Sequence, residues 1–180
     1  DAALGLNGVI SGAGPLSKTG PGILNLGGSA NNTYRGDTVV IAGTLNLAKS
    51  ASRIAVPGNL VVGPTSQAVP AIARFLQSGG IGGSAIMVNA NALLDLNGFN
   101  QALTQLNLND GGDVQTGVGR LSFNGGGVVT VGSLSLLGSH VSSSITGNIG
   151  LPANDTLTFN VKTYAPSFPF DFRPELDVAA

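Results

Sequence analysis

Cysteine and tryptophan are absent from the 180 residues, methionine and histidine occur once each, and only 9% of the chain is charged. Without cysteine there is no disulfide framework, thiolate zinc site or redox dithiol. Eight Lys and Arg against nine Asp and Glu leave a formal net charge of -1, so no basic field exists to hold a phosphate backbone and nucleic acid is not an expected partner. Long apolar runs are missing too. Gly, Asn or Ser interrupts each one well short of the roughly 18 residues of a spanning helix, so no integral membrane segment is expected in this chain. Yet 42% of the residues are hydrophobic and the mean hydropathy is +0.31, the reverse of a disordered composition. That apolar surface must be buried by folding or by assembly, and so little charge predicts poor solubility of a free monomer. Asp1–Leu6 lack the positive stretch that opens a secretory signal, so the chain reads as a mature product or a piece of something longer.

What the chain has in abundance is short alternating segments separated by some of its 28 glycines. Gly22–Leu26, Thr38–Ile41, Thr44–Leu47, Asn59–Val62, Ala85–Val88, Leu93–Leu96 and Leu103–Leu108 each alternate with period two, as do Arg120–Phe123, Val128–Val131, Ser133–Leu136, Ser144–Thr146 and Thr156–Val161. Gly, Asn, Asp or Pro bounds every one, so the class is all-β. Val69–Leu76 alone has room for a helical turn, although Pro70 and the alternation beyond it favour a strand there too. Glycine corners such as Ala42–Gly43 and Val131–Gly132 replace tight hairpin turns, and the pattern recurs at about 20 residues, the spacing of solenoid coils. Leu-Asn-Leu at 24–26, 45–47 and 106–108 is expected to stack in successive rungs. The fold expected is a right-handed parallel β-helix of about 9 coils, roughly 43 Å long at ~4.8 Å per rung.

Three segments carry a recognisable motif. Gly12–Leu26 reads Gly-Ala-Gly-Pro-Leu-Ser-Lys-Thr-Gly-Pro-Gly-Ile-Leu-Asn-Leu, followed by Asn-Thr-Tyr-Arg-Gly-Asp-Thr at 32–38 and Ala-Gly-Thr-Leu-Asn-Leu at 42–47. Together they resemble the passenger-associated transport repeat, or autotransporter-associated β-strand repeat, departing from its usual form at Pro15 and around Gly22 at Pro21 and Ile23. Val56–Gly63 and Leu93–Asn100 look like the extended version of the repeat in large bacterial surface proteins, so the resemblance spans about residues 8–160. It implies a right-handed β-helix in a secreted or cell-surface protein, with export supplied by a signal or translocator outside this chain. It implies a role in forming and exporting a long passenger stalk, and it implies no catalytic residue.

Candidate chemistry is sparse. Gly12–Thr19 superficially resembles a phosphate loop, but Ser17 occupies the position of the Gly required before Lys18, and no helix follows. Asn109–Asp113 places two carboxylates, Asp110 and Asp113, in a Gly turn, at most a weak calcium site since calcium takes 6–8 oxygens. A carbohydrate-active β-helix enzyme needs convergent acids, and the available Asp1, Asp37, Asp95, Asp110, Asp113, Asp155, Asp171, Glu175 and Asp177 form no constellation in sequence. His140 has no neighbouring acid or nucleophile motif, so no cofactor and no enzymatic activity are expected. Asn31–Thr33 and Asn154–Thr156 match N-glycosylation acceptors but read as polar turns.

The division expected is a solenoid module over 1–163, a Pro/aromatic excursion or clasp over 164–175, and a terminal strand over 176–180 leading into a next unit. The excursion holds Tyr164, Phe168, Phe170 and Phe172 beside three prolines. Bare solenoid ends expose backbone and core, and no charged cap precedes Leu4, Leu6, Val9 and Ile10. The end contact is therefore assigned to Leu4, Leu6, Val9, Leu176 and Val178, the clasp to Tyr164, Phe168, Phe170 and Phe172, and the partner to further copies of the chain. The function expected is a non-enzymatic structural module stacking into an extracellular fibre, stalk or surface layer. The alternative is an adhesin passenger contacting glycan or a host surface.

Overall fold

The computed structural model describes residues 2–63, 69–83, 85–132, 141–151 and 153–162. The strands are β1 (Ala3–Leu6), β2 (Leu16–Lys18), β3 (Ile23–Gly28), β4 (Thr38–Val40), β5 (Gly43–Lys49), β6 (Leu60–Val62) and β7 (Ala71–Phe75). They continue as β8 (Ala85–Val88), β9 (Ala92–Asp95), β10 (Gln101–Asn109), β11 (Asp113–Gly132), β12 (Ser144–Gly150) and β13 (Thr158–Val161). Every pairing is parallel, and neighbours alternate in the chain: β1, β3, β5, β7, β9, β11 and β12 form one row, and β2, β4, β6, β8, β10, β11 and β13 another. Parallel neighbours separated by one whole circuit make a β-solenoid, here of about six turns.

A third side lies between the two rows. In the lower turns it is held by irregular backbone bonds, such as Thr33 N–H to Ile10 O at 2.8 Å and Asn32 N–H to Ile54 O at 2.9 Å. Higher up it becomes regular ladder, where Gln101–Leu103 pair with Leu121–Phe123. β11 bends around two corners within one strand, with register breaks at Gly117 and before Val128.

The alternation sorts side chains into columns along the axis. Leu4, Leu24, Leu45, Ala73, Leu94, Val114 and Ile145 share one inward column, and Leu16, Thr38, Leu60, Ile86, Leu106, Val129 and Phe159 another. In the middle turns these are fully buried, which is where the apolar composition goes. Leu-Asn-Leu at 24–26 and 45–47 stack as expected, with Asn46 Nδ2 donating to Asn25 Oδ1 at 2.8 Å. The third copy at 106–108 lies on the other row and joins a different column.

The 9 coils expected from a 20-residue period are too many. Ala3 pairs with Ile23 and Ala71 with Ala92, near that period, but Thr44 pairs with Ile72 and Asp113 with Ser144, circuits of 28 and 31 residues. Both long circuits carry their extra residues at one corner, between β6 and β7 and between β11 and β12. Six turns at ~4.8 Å give an axial length of about 29 Å rather than 43 Å. Ser133–Leu136 and 163–180 lie outside the described residues; Val69–Leu76 contains β7 and no helix.

Candidate functional site at the first turn

A parallel solenoid terminates in strands with one satisfied and one bare side. Among the described residues β1 pairs only with β3 and β2 only with β4, so each has one side without a strand partner there. Leu4 shows what this costs: it is 59% exposed, while Leu45 and Leu94 in its column are fully buried. Leu6 is half-buried on the adjacent column with Leu26 and Leu47, and Val9 is exposed at the following corner. Between β1 and the Lys18–Gly20 corner lies an open cleft of about 370 Å³.

Charge does reach this end, though not from the first ten residues. Lys18 occupies the inward position taken by Val40, Val62, Val88, Leu108, Val131 and Val161 in later turns. Its ammonium folds back to donate to Thr19 O (2.9 Å), Gly20 O (2.7 Å) and Ala42 O (2.8 Å), so all three donors are used. Lys49, 2% exposed, sits in the third turn and reaches down to Gly27 O in the second (2.8 Å) and Gly8 O in the first (3.0 Å). Burial pushes both lysines below the ordinary ammonium range.

The third side of these turns is polar inside as well. Asn32 accepts from Ile10 N–H at 2.9 Å and donates to Ala55 O at 2.8 Å, and buried Tyr34 bonds the Thr38 hydroxyl. The sequence-level expectation of an uncapped N-terminus therefore needs correction: β1 is bare, but the core behind it is closed by polar side chains donating to backbone carbonyls.

Lys18, Asn32, Tyr34 and Thr38 all fall in the motif segments at 12–26 and 32–38. Residues 16–47 match the family model of the passenger-associated transport repeat. The chain carries that repeat. It is also similar to a protein named extracellular serine protease, from Serratia marcescens, with 31% identity over 167 residues covering 89% of this chain and 16% of that protein. The chain thus spans about a sixth of the length of that relative. No solved structure matches.

From Asp37 in the repeat onward, corner carboxamides and carboxylates couple each turn to the next. Asp37 Oδ1 accepts from Asn59 N–H at 3.2 Å and Asn59 Oδ1 from Ala85 N–H at 3.3 Å. Beyond the repeat Asn100 does the same for Arg120 N–H at 2.9 Å. Asp113 Oδ1 accepts from Ser144 N–H (2.9 Å) and Ser144 Oγ (2.7 Å), with Asp110 in the preceding turn at φ 50. Asn31, the first glycosylation candidate, spends its Oδ1 on Ile54 N–H at 2.9 Å. Among the described residues no group of three His, Cys, Asp or Glu is placed to hold a metal ion. His140, Tyr164, Phe168, Phe170, Phe172, Leu176 and Val178 lie outside the described residues.

The last described turn mirrors the first without its polar filling. Phe159 is 51% and Val161 71% exposed, whereas Leu106 and Val129 in the column of Phe159 and Leu108 in that of Val161 are buried. Sequence reading singled out Leu4, Leu6 and Val9 from their apolarity, and the structure places Leu4 and Val9 exposed and Leu6 half-buried. It missed Lys18 and Lys49, because a lysine in a Gly-rich stretch reads as a solvated charge until the column beneath it is known.

Proposed function

We propose that the chain is a structural segment of an exported or surface-displayed passenger, a rigid coil that continues end to end into a neighbouring unit. The single observation that carries this is Leu4: a core-column leucine, 59% exposed, on a strand that among the described residues is paired on one side. A rod end of this kind lacks only another rung, since parallel pairing satisfies the backbone and the next inward residue covers the leucine. The transport repeat at 16–47 and the extracellular relative support secretion or surface display. In a chain like that relative, we place this segment in the scaffold and any hydrolytic chemistry elsewhere. Electron microscopy of the intact chain across a concentration series tests the reading. Filaments growing along the rod axis with concentration are expected; isolated short rods at every concentration would exclude end-to-end growth and return attention to the adhesin alternative, which a glycan-array screen reads directly.

A further inference from the structure

The chain contains three Asn-Gly steps, Asn7–Gly8, Asn97–Gly98 and Asn124–Gly125, and the fold holds them in different ways. We infer that Asn124 is a site of spontaneous covalent modification, where the side-chain amide is lost through a succinimide and a permanent negative charge appears at the bulge of β11. The modification does not depend on end-to-end growth.

The step is an internal displacement. The Gly125 backbone nitrogen attacks Asn124 Cγ, an N–Cγ bond forms, the Cγ–Nδ2 bond breaks, and ammonia leaves carrying the proton that Gly125 gives up. Water then opens the five-membered ring at either carbonyl. The product is aspartate at 124, or isoaspartate, whose main chain runs through the side chain and is one carbon longer. The rate depends on a free amide at the next residue, on room for the backbone to turn that nitrogen towards Cγ, and on a carboxamide held by nothing else. A following glycine is the least obstructive neighbour because it has no Cβ.

Two of the three steps are locked. Gly98 N–H donates to Thr116 O at 3.1 Å, Asn97 Nδ2 to Phe75 O at 3.1 Å and Asn97 N–H to Asp95 Oδ1 at 2.8 Å. Asn7 Oδ1 and O lie so close to Gly27 and Gly28 that a Cβ on either glycine would collide, and Gly8 O accepts from Lys49 Nζ at 3.0 Å.

Among the described residues Asn124–Gly125 carries no such restraint. Phe123 pairs with Leu103 and Val128 with Gln105, so Asn124–Gly127 face Thr104 alone, four residues bulged out against one. On its other side β11 pairs with β12 up to Ser122 and with β13 from Val128, so the same four residues lack a ladder partner there too. Asn124 and Gly125 are both exposed, and Gly125, at φ +62, has open space where a Cβ would stand. The bulge also accepts the product, since an extra backbone carbon there displaces no ladder pair. Asp155 already lies against Gly126, its Oδ1 3.0 Å from where a Cβ would be, so the new carboxylate is the second at this bulge.

Trypsin separates the three steps, because Lys18, Arg74, Arg120 and Lys162 divide them among peptides 1–18, 75–120 and 121–162. The folded full-length chain and the same chain in urea are held in mildly alkaline buffer and sampled over days by peptide mass spectrometry. Each event replaces NH2 by OH and adds about 1 Da to its peptide. In the folded chain Asn124 should react about tenfold faster than Asn97 or Asn7, and in urea, where no fold protects the other two, the three rates should converge. Asn124→Gln should abolish the fast gain in 121–162. Folded-state rates at Asn97 or Asn7 that equal or exceed that at Asn124 would overturn the assignment, as would a folded chain that gains no mass while the urea sample does. The same order of rates in urea would mean that sequence, not the fold, selects the site. A gain in 121–162 that survives Asn124→Gln would move the event to Asn148, Asn154 or Asn160 and sink the bulge as its cause.

Discussion

The first three turns and the last two solve the same problem with different chemistry. The first have an interior that includes Lys18, Asn32, Tyr34, Thr38 and Lys49, each hydrogen-bonded within or between turns. The last are filled mainly by Leu103, Leu106, Leu108, Val114, Leu121, Phe123 and Val129, with Gln101, Asn109 and Thr116 as their buried polar groups and no buried lysine, and they include a 31-residue circuit. A buried polar group is tolerated only when satisfied, and then it specifies one arrangement, because any slip of register leaves it unpaired. An apolar column accepts several arrangements of similar energy. The repeat-bearing turns, where two buried lysines need specific carbonyls, are therefore the more strictly register-setting part of the rod.

The largest effects should come from breaking backbone contact in the first region. Gly28, at φ +98, lies against the first turn so closely that a Cβ would collide with the Asn7 carbonyl. Gly28→Ala should cost about 3 kcal/mol or more in denaturant unfolding, since neither the left-handed backbone nor the colliding carbonyl can yield. Gly147, at φ +111, is its counterpart in the last turn, but its added Cβ would meet the Thr116 hydroxyl, a side chain. Gly147→Ala should cost less, about 1–2 kcal/mol. Equal losses would mean that the two regions are equally rigid.

The staples come next. Lys49→Ala removes the donor to Gly8 O and Gly27 O and leaves a cavity, an expected loss of about 3 kcal/mol, whereas Lys49→Met fills the space and should lose about half as much. Thermal melts of the two variants separate hydrogen bonding from packing. If Lys49→Met equals the parent, the carbonyls are satisfied by solvent and the staple is only filler.

Most of the architecture was legible before any coordinates, and for a physical reason. A solenoid is nearly one-dimensional, so each strand meets residues about one period away, and period-two alternation assigns inward and outward faces directly. The turn count was not legible, because the extra residues of the 28-residue circuit read like the Gly/Ser/Pro-rich corners around them and those of the 31-residue circuit include Ser133–Leu136, which alternates like one more strand. At the first turn, Leu4 could be read because exposure of an apolar residue depends only on being at an end. Lys18 could not, because its role depends on sharing a column with Val40 and Val62, a fact of register. The third Leu-Asn-Leu misleads for the same reason: identical letters stack only when they fall on the same side of the coil.

Corner acceptors offer a smaller test spanning both regions. Asp37→Ala and Asp113→Ala each free an exposed backbone N–H to bond water instead, so each should cost about 1 kcal/mol or less by urea unfolding. Asp113, which also holds the Ser144 hydroxyl at 2.7 Å, should show the larger loss.

The smallest effect expected is on pH dependence, and it belongs to the first region alone. Burial lowers the affinity of the Lys18 and Lys49 amines for a proton in the folded chain, relative to the ordinary 10.5. Over the interval from their depressed values up to 10.5 the unfolded chain binds more protons, so their contribution to stability rises with pH across it and is flat above. Buried Tyr34 acts oppositely: its phenol is pushed above the ordinary 10.0 by burial, so the folded chain keeps its proton longest and stability falls once pH exceeds 10.0. Tyr34→Phe removes the opposing slope. In that background, urea unfolding between pH 8 and 10.5 should show stability rising with pH, and adding Lys49→Met should flatten the rise. A slope unchanged by Lys49→Met would mean that the ammonium is fully compensated by the Gly8 and Gly27 carbonyls, making the staple neutral toward protonation while still holding three turns together.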